Sequence, residues 1–70
     1  MNTNVRHPGS TILRLRNVQA RTGLARSTIY QRMKCGEFPV QISLGPRSVG
    51  WLESDIEAWI ASRVEGSRKG

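Results

Sequence analysis

The chain has one cysteine and one histidine in 70 residues. A lone cysteine excludes an internal disulfide framework and any site built on several thiolates, and a single imidazole, His7, removes most other transition-metal sites. No metal and no cofactor are expected. So few thiols point by default to a reducing, cytoplasmic setting. No apolar run approaches the roughly 20 residues that a membrane-spanning helix needs. The first 11 residues are polar, so no secretory signal is expected there. Aromatic residues are 6% of the chain, and a chain this short buries only about 60% of its unfolded surface. One small core is predicted, without the deep dry pocket that most enzymes need. No nucleophile is recognisably arranged with a base, and the chain is not expected to be an enzyme.

Acid is scarce as well, and its placement is uneven. Residues 1–36 hold Arg6, Arg14, Arg16, Arg21, Arg26, Arg32 and Lys34 and no carboxylate. Glu53, Asp55, Glu57 and Glu65 cluster in 51–65 against Arg63, while Arg68 and Lys69 end the chain; the net charge is +6. One side of the molecule should be cationic and another mildly acidic, and the chemical partner of such a surface is a polyanion.

Residues 1–11 carry no periodicity and hold Pro8, Gly9 and Ser10, which predicts a flexible N-terminal arm with His7 a spectator within it. Residues 12–15 are apolar enough for a small strand or for the lead-in to a helix. Val18 and Thr22 share a face over 16–22, with Gly23 placed as a stop. A second helix fits 26–35, with Ile29 and Met33 inward and Gly36 after it. If Ala25 caps it, Leu24 and Ile29 fall at the hydrophobic-staple positions, although alanine is about 1 kcal/mol worse than serine as a cap.

The period then changes. Residues 40–44 and 49–51 alternate apolar and polar around Gly45-Pro46-Arg47-Ser48, which predicts a β-hairpin with Phe38 plugging the gap between it and the helix. Ile56, Trp59, Ile60 and Val64 form a stripe at helical period, with acids in the first turn where the helix dipole favours them. Ser54 to Glu57 also reads as a capping box that would start this helix slightly later. Residues 66–70 are expected to be a disordered tail.

Two short helices joined by Gly23-Leu24-Ala25 have the spacing of a helix-turn-helix, and the hairpin adds a wing. The second helix of such a pair can enter a major groove. Its outward residues are Arg26, Ser27, Gln31 and Lys34, with Thr28 and Tyr30 on the flanks. Arginine donates twice to guanine, glutamine pairs twice with adenine, and serine or threonine serves base or phosphate. Pro46 beside Arg47 makes a stiff cationic tip for a phosphate or a narrow minor groove, with Ser48 beside it. The plain alternative is that the turn only closes the hairpin and Arg47 is solvated. Trp51 and Trp59 read as core rather than as stacking platforms, Tyr30 as core with a hydroxyl within reach of phosphate, and Cys35 as an inert helix-end residue.

Leu13-Arg-Leu, Ala20-Arg-Thr-Gly-Leu24, Arg26-Ser-Thr-Ile-Tyr30, Gly36-Glu-Phe-Pro39, Leu44-Gly-Pro-Arg-Ser48, Gly50-Trp-Leu-Glu53 and Glu57-Ala-Trp59 stand in order along residues 12–65. This string resembles the AlpA family of phage and prophage regulators, itself similar to the excisionase and MerR-type groups. The resemblance implies an α+β, mostly α, small winged helix-turn-helix with three helices and a β-hairpin wing. It implies double-stranded DNA as partner and a role in transcription of phage or integrated-element genes. Arg26, Ser27, Thr28 and Tyr30 fall on its recognition-helix motif, and Arg47 and Ser48 on its wing motif. Ala25 departs from it, since serine is common there. An excisionase-like architectural factor in recombination is the alternative, and an integrase or RNA polymerase are the further partners either role would bring. A docking module for an acidic protein is a third reading, which predicts no preference for duplex DNA over heparin. With no long coiled coil or extra helix, a monomer that cooperates on DNA is expected.

Overall fold

The computed structural model describes residues 11–69. Strand β1 (Ile12–Leu13) leads into helix α1 (Leu15–Thr22), helix α2 (Arg26–Lys34), strands β2 (Ile42–Gly45) and β3 (Ser48–Leu52), and helix α3 (Glu53–Lys69). The three strands form one antiparallel sheet in the order β1-β3-β2. This is the small winged helix-turn-helix, α+β and mostly helical, that the pattern of periods implies. Apart from Thr11, the arm expected over 1–11, His7 included, lies outside the described residues.

Local chemistry explains most boundaries. Arg14 takes extended geometry as N-cap of α1, and its own N–H donates to Oδ1 of Asn17 at 3.3 Å. Gly23 stops the helix at φ 74°, a left-handed conformation that costs glycine little, and its N–H reaches the Gln19 carbonyl at 2.7 Å. Ala25 caps α2 with no side-chain hydrogen bond. Leu24 compensates by packing on the core, as the staple reading expects. The Leu24 N–H also donates to the Thr22 hydroxyl at 3.3 Å, while that hydroxyl donates to the Val18 carbonyl at 2.8 Å. The three-residue turn is thereby tied to the end of α1.

The core is Leu13, Val18, Ile29, Phe38, Trp51 and Ile56, with Leu15, Leu24, Met33, Trp59 and Ile60 packed around it. Trp51 is fully buried on β3, and its indole N–H donates to the Pro39 carbonyl at 3.1 Å. The edge of Tyr30 meets its ring with centroids 6.5 Å apart, so this one side chain fastens both the loop after α2 and the helix itself to the sheet. Phe38 sits edge-on to Trp59 at 4.8 Å and so packs toward α3. Trp59 donates its indole N–H to the Glu37 carbonyl at 2.8 Å.

Of the two readings open for residues 12–15, residues 12–13 take the strand, paired through Ile12 with Leu52 and Leu13 with Trp51. Two other boundaries differ from the sequence pattern. Helix α3 begins at Glu53 directly from β3, because the Glu53 N–H is satisfied at 2.8 Å by the Thr11 carbonyl and needs no capping box. The tail expected to be disordered over 66–70 is helical through Lys69. Gly66 weakens a helix interior by about 1 kcal/mol but does not end it unless the backbone turns left-handed. Residues 61–68 are all exposed, so Val64, the last member of the apolar stripe, is 44% exposed and off the core.

Gly50 sits at the centre of the sheet, opposite Ile42. A Cβ there would stand 2.5 Å from Cγ2 of Ile12 and 3.0 Å from the Leu13 carbonyl. The backbone contact cannot yield by a side-chain rotation, so β1 must shift. Gly50→Ala is therefore expected to destabilise the fold by about 1–3 kcal/mol, read as a lower urea midpoint with an unchanged slope.

Candidate nucleic-acid interface

Helix α2 turns about 100° per residue. With Ile29 buried, Ser27, Gln31 and Lys34 point to solvent, and Arg26 and Tyr30 share one flank, as their exposures agree. Thr28 and Arg32 occupy the other flank. The guanidinium of Arg26 lies over the Tyr30 ring, 5.6 Å from its centroid. Held there, Arg26 projects from the first turn of α2, where no acid stands.

The hairpin tip is built by backbone geometry. Ser43 pairs with Val49 and Gly45 with Ser48, with a register shift between them that bends β2. Pro46 and Arg47 form the turn, and Arg47 has φ 62°, the one positive φ on a non-glycine among the described residues. A side chain larger than glycine pays about 1 kcal/mol or more for that conformation. The strained position keeps Arg47 exposed at the apex, while Ser48 is half-buried at the start of β3.

Tip and helix meet on one side of the molecule. Tyr30 and Arg47 line one open groove together with Arg14, Leu15, Arg16, Asn17, Gln19 and Val49. Since Arg26 stacks on Tyr30, one continuous surface runs from the start of α2 across Tyr30 to the wing. The N-cap and first turn of α1 supply Arg14, Arg16 and Asn17 to it, residues that periodicity alone does not single out. Their signal was present: two arginines two residues apart in a segment without any acid. Of the eight residues singled out in the sequence, Tyr30 and Arg47 line this groove, Arg26 stacks on Tyr30, and Gln31 and Lys34 border a hollow with Tyr30; Ser27 is exposed on α2 and Ser48 half-buried next to Arg47. Thr28 faces away, toward the flank of α2 where Arg32, Cys35 and Glu37 lie, while exposed Gln31 stands between the two flanks. Cys35 is an exposed free thiol.

Acid is kept off this side. Glu53 and Glu57 of α3 both bind the Arg21 guanidinium, at 2.8 and 2.5 Å, which clips α1 to α3. With Arg21 39% exposed, such a clip is worth at most about 1 kcal/mol. Its larger consequence is electrostatic. Arg21 is neutralised by the acidic patch, whereas Arg14, Arg16, Arg26, Lys34 and Arg47 have no carboxylate partner among the described residues. An uncompensated cationic groove beside an exposed helix face suits a rod of negative charge. Among the described residues no cluster of His, Cys, Asp and Glu could hold a metal ion, and no helix is long and apolar enough to cross a membrane.

A winged helix-turn-helix whose second helix and wing share a cationic face defines the class. The particular family follows from comparison: residues 11–64 match the family described as "Prophage CP4-57 regulatory protein (AlpA)", and the chain belongs to it. It is 48% identical over 58 residues to "Uncharacterized protein ORF88" of Enterobacteria phage P4, a match covering 83% of this chain and 66% of that protein, just under two thirds. It is 41% identical over 60 residues to the "DNA-binding transcriptional activator AlpA" of Escherichia coli (strain K12), covering 77% of this chain and 86% of that one.

Proposed function

We propose that the chain is a sequence-specific duplex-DNA-binding regulator of transcription for phage or integrated-element genes. Helix α2 lies in the major groove, with Arg26 reading guanine, Gln31 reading adenine, and Ser27 serving a base or the adjoining phosphate; Thr28, on the far flank, takes no part. Tyr30 and Lys34 contact the backbone, and Arg47 with Ser48 rests on the neighbouring backbone or minor groove. Arg14 and Arg16 join them. The observation that carries this reading is the groove shared by Tyr30 and Arg47, with Arg26 stacked on the same tyrosine. Likeness to a DNA-binding transcriptional activator of Escherichia coli supports it.

Titration of a duplex selected from a random pool tests the proposal. Each neutralised phosphate contributes about −0.9 to the slope of log K against log salt, so the four cations placed on the backbone, Arg14, Arg16, Lys34 and Arg47, give about −3 to −4. A flat salt response, or heparin competing as well as the selected duplex, contradicts it.

Arg47 offers a separable check. Arg47→Gly relieves the left-handed strain and adds unfolded-state entropy, two terms of about 1 kcal/mol that oppose each other. The urea midpoint is expected to stay nearly unchanged, while DNA binding weakens and the salt slope falls by about 1. Unchanged binding would place the wing tip in solvent.

A further inference from the structure

The wing-side flank of α2 carries an apolar feature that phosphate binding does not use. Tyr30 and Met33 form a shallow cup with Val40, and Gln31 and Lys34 stand on its rim. Val40 is 71% exposed, held out in the segment between α2 and β2. The cup is small: beside the exposed valine, Tyr30 and Met33 are half-buried. A stable protein partner needs about 1,000 Å² or more of contact, far beyond this.

We propose that this cup seats the C5-methyl group of a pyrimidine in DNA, making Val40 and Met33 specificity-determining residues. The proposal rests on the DNA-binding reading above. One property of DNA and two features of the cup favour a methyl group as occupant. The major-groove edge of unmodified DNA presents a single apolar group, the thymine methyl. The cup is continuous with the exposed face of α2, since Gln31 and Lys34 belong to both. Its rim also matches what surrounds such a methyl: an amide that can pair with an adjoining adenine edge, and an ammonium that can meet a phosphate.

The test uses a duplex that the wild-type chain selects from a random pool. Each thymidine is replaced in turn by deoxyuridine, which removes the methyl and keeps the Watson–Crick edge. At one position affinity is expected to fall about fourfold, the effect of burying one methyl-sized group. Val40→Ser, at an exposed position that folding does not need, is expected to bind thymine and uracil equally well there while still binding the duplex. The inference is overturned if every deoxyuridine duplex binds as tightly as its parent, or if Val40→Ser retains the fourfold preference, which would assign that preference to DNA shape. Selection of no duplex at all would remove the DNA-binding reading itself, a result visible before any uracil is introduced.

Discussion

Trp51→Ala is expected to leave the chain largely unfolded in buffer at room temperature. A folded chain of 70 residues holds a net stability of about 4–10 kcal/mol. Deleting a fully buried tryptophan costs about 3–5 kcal/mol. The Pro39 carbonyl then loses its indole donor and Tyr30 its edge contact, which adds about 1 kcal/mol or more. The sum rivals the whole stability. Trp51→Phe keeps most of the apolar volume and loses the hydrogen bond, so its melting point should fall less. Circular dichroism melts decide the matter: a Trp51→Ala melt within a few degrees of wild type contradicts the central place given to this residue.

The second large effect concerns binding. Arg26→Ala is expected to weaken affinity for a selected duplex by about 1–3 kcal/mol and to relax preference at one base pair. Stability should hardly move, because Arg26 is exposed and its stacking on Tyr30 is worth about 0.5–1 kcal/mol. Arg32→Ala serves as the control. It removes the same charge from the same helix on the flank turned toward α3, where Arg32 borders a concavity with Arg21, Leu24, Trp59 and Arg63. The proposed binding mode requires a much smaller loss for Arg32→Ala. Equal losses would mean that the helix supplies only diffuse positive charge.

How far the sequence alone reaches can be judged from particular residues. The helices were legible because Val18 with Thr22, Ile29 with Met33, and Ile56 with Trp59 and Ile60 recur at helical spacing, and Val18, Ile29 and Ile56 are the fully buried members of their elements. The hairpin was legible from alternation around Gly45 and Pro46. Features that the sequence left open or hid depend on contacts between distant segments. Strand β1 exists because Leu52 and Trp51 present a strand edge to Ile12 and Leu13. The start of α3 is fixed by the carbonyl of Thr11, 42 positions earlier in the chain. Neither leaves a periodic trace. Val40 continues the alternation of Ile42 and Leu44 on paper, yet it precedes the strand and stays exposed.

The interface divides in the same way. Arg26, Gln31 and Arg47 announce themselves by residue type in a helix-turn-helix and at a turn. Arg14, Arg16 and Asn17 join them only because folding brings the first turn of α1 beside Tyr30 and the wing. Thr28 shows the opposite case. Its motif position suggested a place among the readers, and its angle on α2 turns it toward Arg32 and Glu37.

Backbone amide NMR shifts, followed while a selected duplex is added, address the shared cationic face most directly. Perturbations are expected over residues 14–17, 26–34 and 45–48, with the Glu53–Glu57 clip and residues 61–68 of α3 silent. Shifts centred on Trp59, Arg63 and the exposed end of α3, with the hairpin tip unmoved, would put the double helix on the wrong side of the molecule.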